Sequence, residues 1–470
     1  MVIRTSNPGA PGFYVESAIE MYKLILPARY FLKRRIAYLA VAAVALCVFI
    51  VVVVMTVMNG LVSEFRAKNH DFVGDCIIST ESLVGFAYYE DFLKELREQD
   101  FVLAAAPVVR GFGLLTQPVT GQNIGVEIMG IEPAGFCKAT KFAQTLYWHK
   151  DDPLNAFSPS YDTALAGCVV GIDMISRSRD RAGKYYHSPE PLRIELMVTC
   201  FPLTATGALA KAATDLVNSK TICYSDDSHT GLVKVDARMI YLEFELAQKL
   251  FGMAGATPRA SAIHIKFADG TSLKTGVDKI TKMWNGFAIA NANQKYANLL
   301  KNVTVQSWLD YRRSSIAPME KEQVMLIFLF SMLGIITVFI IFVIFYMIIC
   351  HKTKDIGILK SVGISRLAIV QLFLTFAAWV GIVGAGIGAG AGCAFLVKIN
   401  DMEDWLFEHF GWQLWDRTVY AIGDIPNDIE FEALAIIMAS AVLAALAGAF
   451  LPSARAARDR PVELLQVDRL

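Results

Sequence analysis

Four long apolar stretches constrain this sequence more than any other feature. They cover residues 37–59, 324–350, 367–397 and 433–451, and none of them contains Asp, Glu, Lys or Arg. Each is as long as the roughly 18 to 20 apolar residues that a helix needs to cross a hydrocarbon core of about 30 Å. We therefore predict a membrane α-helical protein with four transmembrane helices. Residues 60–320, between the first two stretches, have the composition of a large soluble domain.

Overall composition and charge exclude several other classes of protein. Hydrophobic residues make up 54% of the chain and charged residues only 19%, which excludes an intrinsically disordered polypeptide. The 44 basic and 44 acidic residues cancel, so no net field attracts nucleic acid. Of the eight cysteines, Cys47, Cys350 and Cys393 lie in apolar stretches. An odd five remain elsewhere, their pairing is open, and no complete disulfide framework is predicted.

Lysine and arginine near the ends of the apolar stretches predict the orientation in the membrane. Segments 1–36, 351–366 and 452–470 are basic, whereas 398–431 has only two basic residues among eight acids. We expect the three basic segments, and thus both termini, to be cytoplasmic, and 60–320 and 398–431 to be outside. The basic residues are Lys23, Arg29, Lys33, Arg34, Arg35, Lys352, Lys354, Lys360, Arg366, Arg455, Arg458, Arg460 and Arg469. The first stretch is about twice the length of a signal-peptide core and no cleavage site precedes Glu64, so we expect an uncleaved anchor.

Two βαβ-like patterns bracket the large domain. The first has strands at Cys76–Ile78, Val102–Val109 and Gly125–Ile131, with a helix over Tyr89–Gln99 whose Phe92, Leu93 and Leu96 share one face. The second has a strand over 263–267, a helix with an apolar stripe at Leu273, Val277, Ile280 and Trp284, and a strand over Val303–Val305. Thr271 is the predicted helix cap. The less regular residues 135–258 are expected to form an inserted subdomain, which makes the domain α+β.

Motifs for several kinds of chemistry are absent from the sequence. It contains no G-x-x-x-x-G-K-[ST] phosphate loop, no H-E-x-x-H, no paired C-x-x-C and no G-x-S-x-G. We therefore predict that the chain is not an enzyme, and that energy for transport comes from a partner. His264 alternates with Ile263 and Ile265, so we expect a solvated histidine on the polar face of its strand.

Four blocks of the chain resemble the lipoprotein-releasing permeases of the LolC/LolE type, within the MacB/FtsX-like superfamily. The first is FLKRRIAYLAVAAVALCVFIVVVVMTVMNGLVSEF (Phe31 to Phe65), in which VMNG follows the first apolar stretch. The others are EKEQVMLIFLFSMLGIITVFIIFVIFYMIICHKTKDIGILKSVGISR (Glu320–Arg366), KVDARMIYLEFELAQKLFG (Lys234–Gly252) and LPSARAARDRPVELLQ (Leu451–Gln466). Ser453 departs from the family, which usually has Ala after this Pro.

This resemblance implies a permease in the inner membrane with a periplasmic domain made of a porter-like split βαβ part and an inserted part. It implies an ABC ATPase dimer as partner, which binds ATP and Mg, so that no cofactor is expected in this chain. A second permease copy or a paralogue, a lipoprotein substrate, a periplasmic carrier and membrane lipids are the other expected partners. The function implied is release of lipoproteins from the inner membrane.

The short basic loop between the second and third stretches has an apolar stripe at Ile356, Leu359 and Val362. The stripe predicts a short amphipathic helix that either anchors at the interface or, as the resemblance implies, couples to the ATPase. The candidate coupling residues are Lys352, Asp355, Ile356, Leu359, Lys360 and Gly363, with Gly363 as the helix C-cap.

Two further patterns lie within the membrane stretches. Val51, Met55 and Met58 share a face of the first, and flexible methionines suit a surface that accepts variable acyl chains, although lipid exposure explains them equally well. Glycines repeat through the third stretch, which favours close helix packing over a role in substrate movement. They are Gly381, Gly384, Gly386, Gly388, Gly390 and Gly392.

Two alternative functions belong to the same superfamily. An FtsX-like mechanotransmitter would regulate a cell-wall hydrolase, but the domain over 60–320 is larger than in that group. A MacB-like efflux permease would carry a fused ATPase, which is absent here.

Overall fold

The computed structural model describes residues 35–118, 121–174, 185–210, 217–412, 415 and 424–459. The basic residues Lys23 to Arg34, Arg460 and Arg469 therefore lie outside the described part of the chain. Two compact units are present. The membrane unit comprises Met1–Leu61, Glu320–Leu414 and Ile425–Leu470, and the α/β unit comprises Val62–Met319 and Trp415–Asp424.

Four helices among the described residues are long and apolar enough to cross a membrane, as predicted. The first to fourth membrane helices are Arg35–Val73, Arg313–His351, Arg366–Val397 and Phe431–Arg458. They extend beyond the apolar stretches 37–59, 324–350, 367–397 and 433–451 because helical geometry continues through polar residues at their ends. Among its described residues the membrane unit has two shorter helices, the inner helix Thr353–Ser361 and the loop helix Ile399–Phe410.

Glycine allows close packing between the membrane helices. A Cβ atom on Gly388 would lie 2.4 Å from the carbonyl oxygen of Ala45, and one on Gly384 would lie 2.8 Å from Val44. Gly381 similarly faces the fourth membrane helix. Gly386 and Gly390 have no atom within 4 Å of such a Cβ. The glycine repeat therefore provides a seam against the neighbouring helices, as the packing interpretation expects.

The α/β unit contains eleven named strands and eight α-helices among its described residues. The strands are β1 (Cys76–Thr80), β2 (Phe86–Ala87), β3 (Val102–Gln117), β4 (Gln122–Ile131), β5 (Gly167–Gly171), β6 (Glu195–Cys200), β7 (Asn218–Ser228), β8 (Met239–Glu243), β9 (Arg259–Ala260), β10 (Ala262–Phe267) and β11 (Val303–Ser307). The helices are α1 (Tyr89–Arg97), α2 (Pro133–Ala139), α3 (Phe142–Thr145), α4 (Val233–Asp236), α5 (Phe244–Leu250), α6 (Leu273–Ala290), α7 (Ala297–Leu300) and α8 (Trp308–Tyr311), with a 3-10 turn at Pro153–Asn155.

Four strands form an antiparallel sheet in the order β11-β1-β10-β3. Helix α1 connects β1 to β3, and α6 lies between β10 and β11 in the chain. Their apolar faces pack against each other and the sheet, with the rings of Phe92 and Trp284 4.9 Å apart. The predicted stripe of α1 is buried, as are Ile280 and Trp284 of α6.

The other part of the α/β unit is a closed set of six strands. Strand β3 continues past the first sheet, and the order β3-β4-β8-β5-β7-β6 ends with β6 pairing back onto β3. Strands β5 to β8 all come from residues 135–258, so the segment expected to be an irregular insertion supplies four of the six strands. Its interior is filled by buried side chains such as Tyr224, Ile240 and Val198.

Two local predictions for the α/β unit are wrong. The cap of α6 is Ser272, whose Oγ accepts a hydrogen bond from the backbone N–H of Thr275, and not Thr271. His264 is buried, not solvated. Ile263 and Ile265 pack in the cluster of Phe92 and Trp284, and Phe136 covers His264 on the opposite face of the sheet. Its Nδ1 lies 2.8 Å from the carbonyl oxygen of Val73. Burial disfavours the charged imidazolium and lowers the pKa of His264 to about 4. All eight cysteines lie in the described part of the chain and are unpaired there.

Candidate functional site

An apolar cavity of about 400 Å³ lies among the first, second and fourth membrane helices. Val51 and Met55 of the first helix line this cavity, whereas Met58, the third residue of the predicted face, is absent from its lining. The other lining residues are Val44, Cys47, Val48, Asn59, Ile327, Phe330, Ser331, Gly334, Thr337, Ala433, Ile436, Ile437, Ser440, Ala441 and Ala444.

The hydroxyl groups in the lining bond to their own helices. Ser331 donates to the carbonyl oxygen of Ile327 at 2.9 Å, and Ser440 donates to that of Ile437 at 2.7 Å. Thr337 bonds the backbone one turn earlier in the same manner. Because these donors are satisfied within their helices, the cavity presents a largely apolar surface to an occupant.

The end of the cavity at Asn59 is held by a polar contact and a close approach. Gln323 Nε2 donates a hydrogen bond to Asn59 Oδ1 at 2.7 Å, which joins the first and second membrane helices. Beside it, a Cβ atom on Gly60 would lie 2.4 Å from the Cβ of Pro426. The last two residues of the VMNG motif therefore hold the first membrane helix against its neighbours. Asn59 accepts the hydrogen bond from Gln323, and Gly60 has no side chain that would collide with Pro426.

The inner helix packs against the end of the fourth membrane helix. Ile356 is only 2% exposed and belongs to a cluster of buried residues with Ile349, Ile369, Phe373, Ala456 and Ala457. Lys360 Nζ donates to the carbonyl oxygen of Ala456 at 3.2 Å and also to that of Asp459. These contacts explain the paired alanines Ala456 and Ala457, because larger side chains would separate the two helices.

The six candidate coupling residues thus have different surroundings. Ile356 and Lys360 bind this chain's own fourth helix, Leu359 is half-buried, and Lys352 pairs with Asp355. The C-cap of the inner helix is Val362, and Gly363, predicted to be the cap, follows it with φ +96°, the left-handed conformation in which helices commonly end. The exposed apolar side chains are Ile358, at 53%, and Val362, at 78%. Sequence periodicity did not single out Ile358, because Ile356, Leu359 and Val362 already form an apolar stripe at i, i+3 and i+6.

Two buried carboxylates of the α/β unit, Asp226 and Asp236, accept several hydrogen bonds. Asp226 accepts hydrogen bonds from the backbone N–H groups of Trp148 and His149, both at 2.8 Å. Desolvation raises the pKa of Asp236 to about 6, although donors from Thr230 and Gly231 oppose the shift. Among the described residues no group of three or more His, Cys, Asp or Glu could hold a metal ion.

Comparison with known proteins defines the class of this chain. Residues 327–461, which include the inner helix and the third and fourth membrane helices, match the FtsX-like permease C-terminal family. Together with the four candidate membrane helices, this match makes the chain similar to membrane permeases with an FtsX-like domain.

Two relatives, one of them aligned over nearly the whole chain, narrow this class. The lipoprotein-releasing system transmembrane protein LolC of Neisseria meningitidis serogroup B is 22% identical over 447 residues, 92% of this chain and 94% of that protein. LolC of Xylella fastidiosa is 26% identical over 122 residues, 26% of this chain and 30% of that protein. The resemblance to LolC-type and FtsX-like permeases, predicted from the motifs, is confirmed over these ranges. The periplasmic region of MacB from Actinobacillus actinomycetemcomitans aligns with 53% of this chain and 97% of its own, at 10% identity and a TM-score of 0.29.

Proposed function

We propose that this chain is the permease subunit of an ABC transporter that releases lipoproteins from the inner membrane toward a periplasmic carrier. ATP hydrolysis takes place in a separate ATPase dimer, which binds ATP and Mg. The apolar cavity lined by Val51 and Met55 is the observation that carries this proposal, together with the LolC relative that spans nearly the whole chain.

The cavity has the chemistry that an acyl chain requires. Its volume of about 400 Å³ lies in the range of roughly 300 to 1,000 Å³ usual for small-molecule sites. Each methylene that leaves a lipid environment for water costs about 0.8 kcal/mol, so an acylated protein leaves the bilayer only if its chains find other apolar cover. Methionine adapts its shape to variable neighbours, and Met55 therefore suits a site for chains of different length.

The energy for release reaches the cavity from outside this chain. The inner helix offers Ile358 and Val362 as exposed apolar anchors for an ATPase groove, and its packing on Ala456 and Ala457 links it to the fourth membrane helix, which lines the cavity. We propose that a second permease copy or a paralogue completes the transporter. The porter-like assignment of the first sheet is part of the same proposal.

Matched glycine variants in cells test this function. Gly334 lines the cavity and Gly386 does not, and both have open space at the Cβ position. Depletion of the protein should leave lipoproteins in the inner membrane. In depleted cells, the Gly386→Phe variant should restore lipoprotein release. The Gly334→Phe variant, whose new side chain fills the cavity, should not restore it. Normal lipoprotein sorting after depletion would contradict this function. Loss of cell-wall hydrolase activation would then support the mechanotransmitter, and loss of peptide efflux would support the efflux permease.

The proposed orientation has its own test. In a background without native cysteines, a cysteine at Asp355 should be shielded from membrane-impermeant thiol reagents in intact cells, and one at Asp404 should react. Labelling at Asp355 would contradict the cytoplasmic location of the inner helix and of both termini.

A further inference from the structure

In the part of the chain that the structure describes, the loop helix, Ile399–Phe410, and the residues just after it carry exposed aromatic side chains. Trp405 is 50% exposed, Phe410 60% and Trp412 65%. The rings of Trp405 and Phe410 lie 5.8 Å apart, and those of Phe410 and Trp412 lie 6.0 Å apart. We call these three residues the aromatic surface. Large apolar side chains that are contiguous and exposed indicate an interaction site.

Three acidic side chains of the loop helix share one helical face. Asp401, Asp404 and Glu408 recur at i, i+3 and i+7, which places them on one helical face. Met402, Trp405 and His409 follow the same spacing on a neighbouring face, where the imidazole lies 4.9 Å from the indole of Trp405. A helix with separate apolar and charged faces suits the boundary between lipid and water.

The start of the loop helix lies at the end of a membrane helix. The third membrane helix has 32 residues, about 48 Å at 1.5 Å per residue, which matches the roughly 40 to 45 Å of a bilayer with its headgroups. Only Lys398 separates its last residue, Val397, from Ile399. The loop helix therefore begins at headgroup level.

Hydrogen bonds fix the loop helix to the returning chain at this level. Asn400 accepts from the backbone N–H of Ile425 at 2.9 Å and donates to its carbonyl oxygen at 3.2 Å. Asn427 Nδ2 donates to the carbonyl oxygen of Leu396 at 3.3 Å, so the chain that enters the fourth membrane helix is held beside the end of the third.

We propose that the aromatic surface lies in the headgroup region of the bilayer and anchors the loop helix in the plane of the membrane. Tryptophan rings prefer this region because an apolar ring and an N–H donor suit a place between lipid and water. The loop helix that carries this surface follows a membrane helix after one intervening residue, which favours lipid over a soluble protein as the partner of the surface. The acidic face makes zwitterionic lipid the better ligand, since anionic headgroups would repel it. This proposal does not depend on lipoprotein release.

Tryptophan quenching in the full-length protein tests this proposal. The protein and its Trp405→Phe/Trp412→Phe variant are reconstituted in nanodiscs of phosphatidylcholine, with or without brominated acyl chains. The difference between the two emission spectra reports the two indoles. Two further variants serve as references, each through its own difference spectrum. Trp379→Phe, in the third membrane helix, reports an indole within the bilayer, and Trp284→Phe reports an indole buried in the α/β unit.

We expect brominated lipid to remove most of the difference emission and aqueous iodide to remove little of it. Quenching by iodide alone would show that the indoles lie in water, and protection from both quenchers would show that protein covers them. Either result would overturn the proposal. If the double variant does not fold, Trp405→Phe and Trp412→Phe provide the same measurement one indole at a time.

Discussion

The ammonium group of Lys360 donates a hydrogen bond to the carbonyl oxygen of Ala456 at 3.2 Å. The two residues are 96 positions apart, the first in the inner helix and the second in the last turns of the fourth membrane helix. Ile356 packs into the same contact against Ala456 and Ala457. We therefore expect the inner helix and the end of the fourth membrane helix to move together when a partner displaces either of them.

The first prediction concerns the exposed side of the inner helix. Changing both Ile358 and Val362 to Asp should lower binding of the ATPase on the order of a hundredfold, because charges would enter an apolar contact. The variant should still insert and fold, since both side chains are exposed. Co-purification of the ATPase with the permease measures the effect.

Two variants control this prediction. Ser361→Asp adds one charge at an exposed position and should bind the ATPase normally. Ile356→Asp places a charge in a buried cluster and should lower the yield of folded permease itself. If the Ile358 and Val362 double variant retained its ATPase, the docking surface would have to lie elsewhere.

The second prediction concerns the glycine seam of the third membrane helix. Gly388→Ala places a Cβ 2.4 Å from the carbonyl oxygen of Ala45 and should destabilise the membrane unit by about 1 to 3 kcal/mol. Gly390→Ala, with open space at its Cβ, should be neutral or slightly stabilising. Unfolding in detergent compares the two variants with the natural protein, and equal stability of both variants would argue against a packed seam.

The third prediction concerns Asp75 in the α/β unit. Burial disfavours its charge, but hydrogen bonds from His70, Phe267 N–H and Lys266 outweigh burial and lower its pKa to about 2 from 3.8. Because the pKa is lower in the folded state, the charge contributes about 2 kcal/mol of stability above pH 4. This contribution is lost as the pH falls from about 4 to 2.

Asp75→Asn isolates this effect. Its free energy of unfolding should be about 2 kcal/mol lower than that of the natural protein at pH 7, and the difference should shrink as the pH falls through the range between 3.8 and about 2. Denaturant titrations at several pH values measure this difference. A constant difference across that range would show that the loss comes from packing and not from the carboxylate charge.

The membrane helices and the helices α1 and α6 were predictable from sequence because their signals are local. Hydropathy over a window of about 20 residues identifies a span, and the stripe of Phe92, Leu93 and Leu96 identifies a buried helical face. In both cases the residues that determine the element lie within it.

Features that depend on distant residues were not predictable. The alternation around His264 is that of a half-exposed strand, and only the packing of Phe136 shows that both faces are covered. Likewise, the stripe of the inner helix cannot show that Ala456 covers Ile356 and leaves Ile358 exposed. Closure of the set of six strands depends on pairing between β3 and β6, which lie far apart in the chain.

Photo-crosslinking from the cavity tests the proposed function most directly. A photoreactive phenylalanine derivative in place of Val51 lies in the cavity, whereas the same group in place of Leu46 lies on an exposed part of the first membrane helix outside the lining. With the assembled transporter and an acylated lipoprotein, we expect a crosslink from position 51 that disappears when the acyl chains are absent, and little crosslinking from position 46. Equal crosslinking from both positions, or a crosslink at position 51 that does not need the acyl chains, would contradict a lipoprotein site in this cavity.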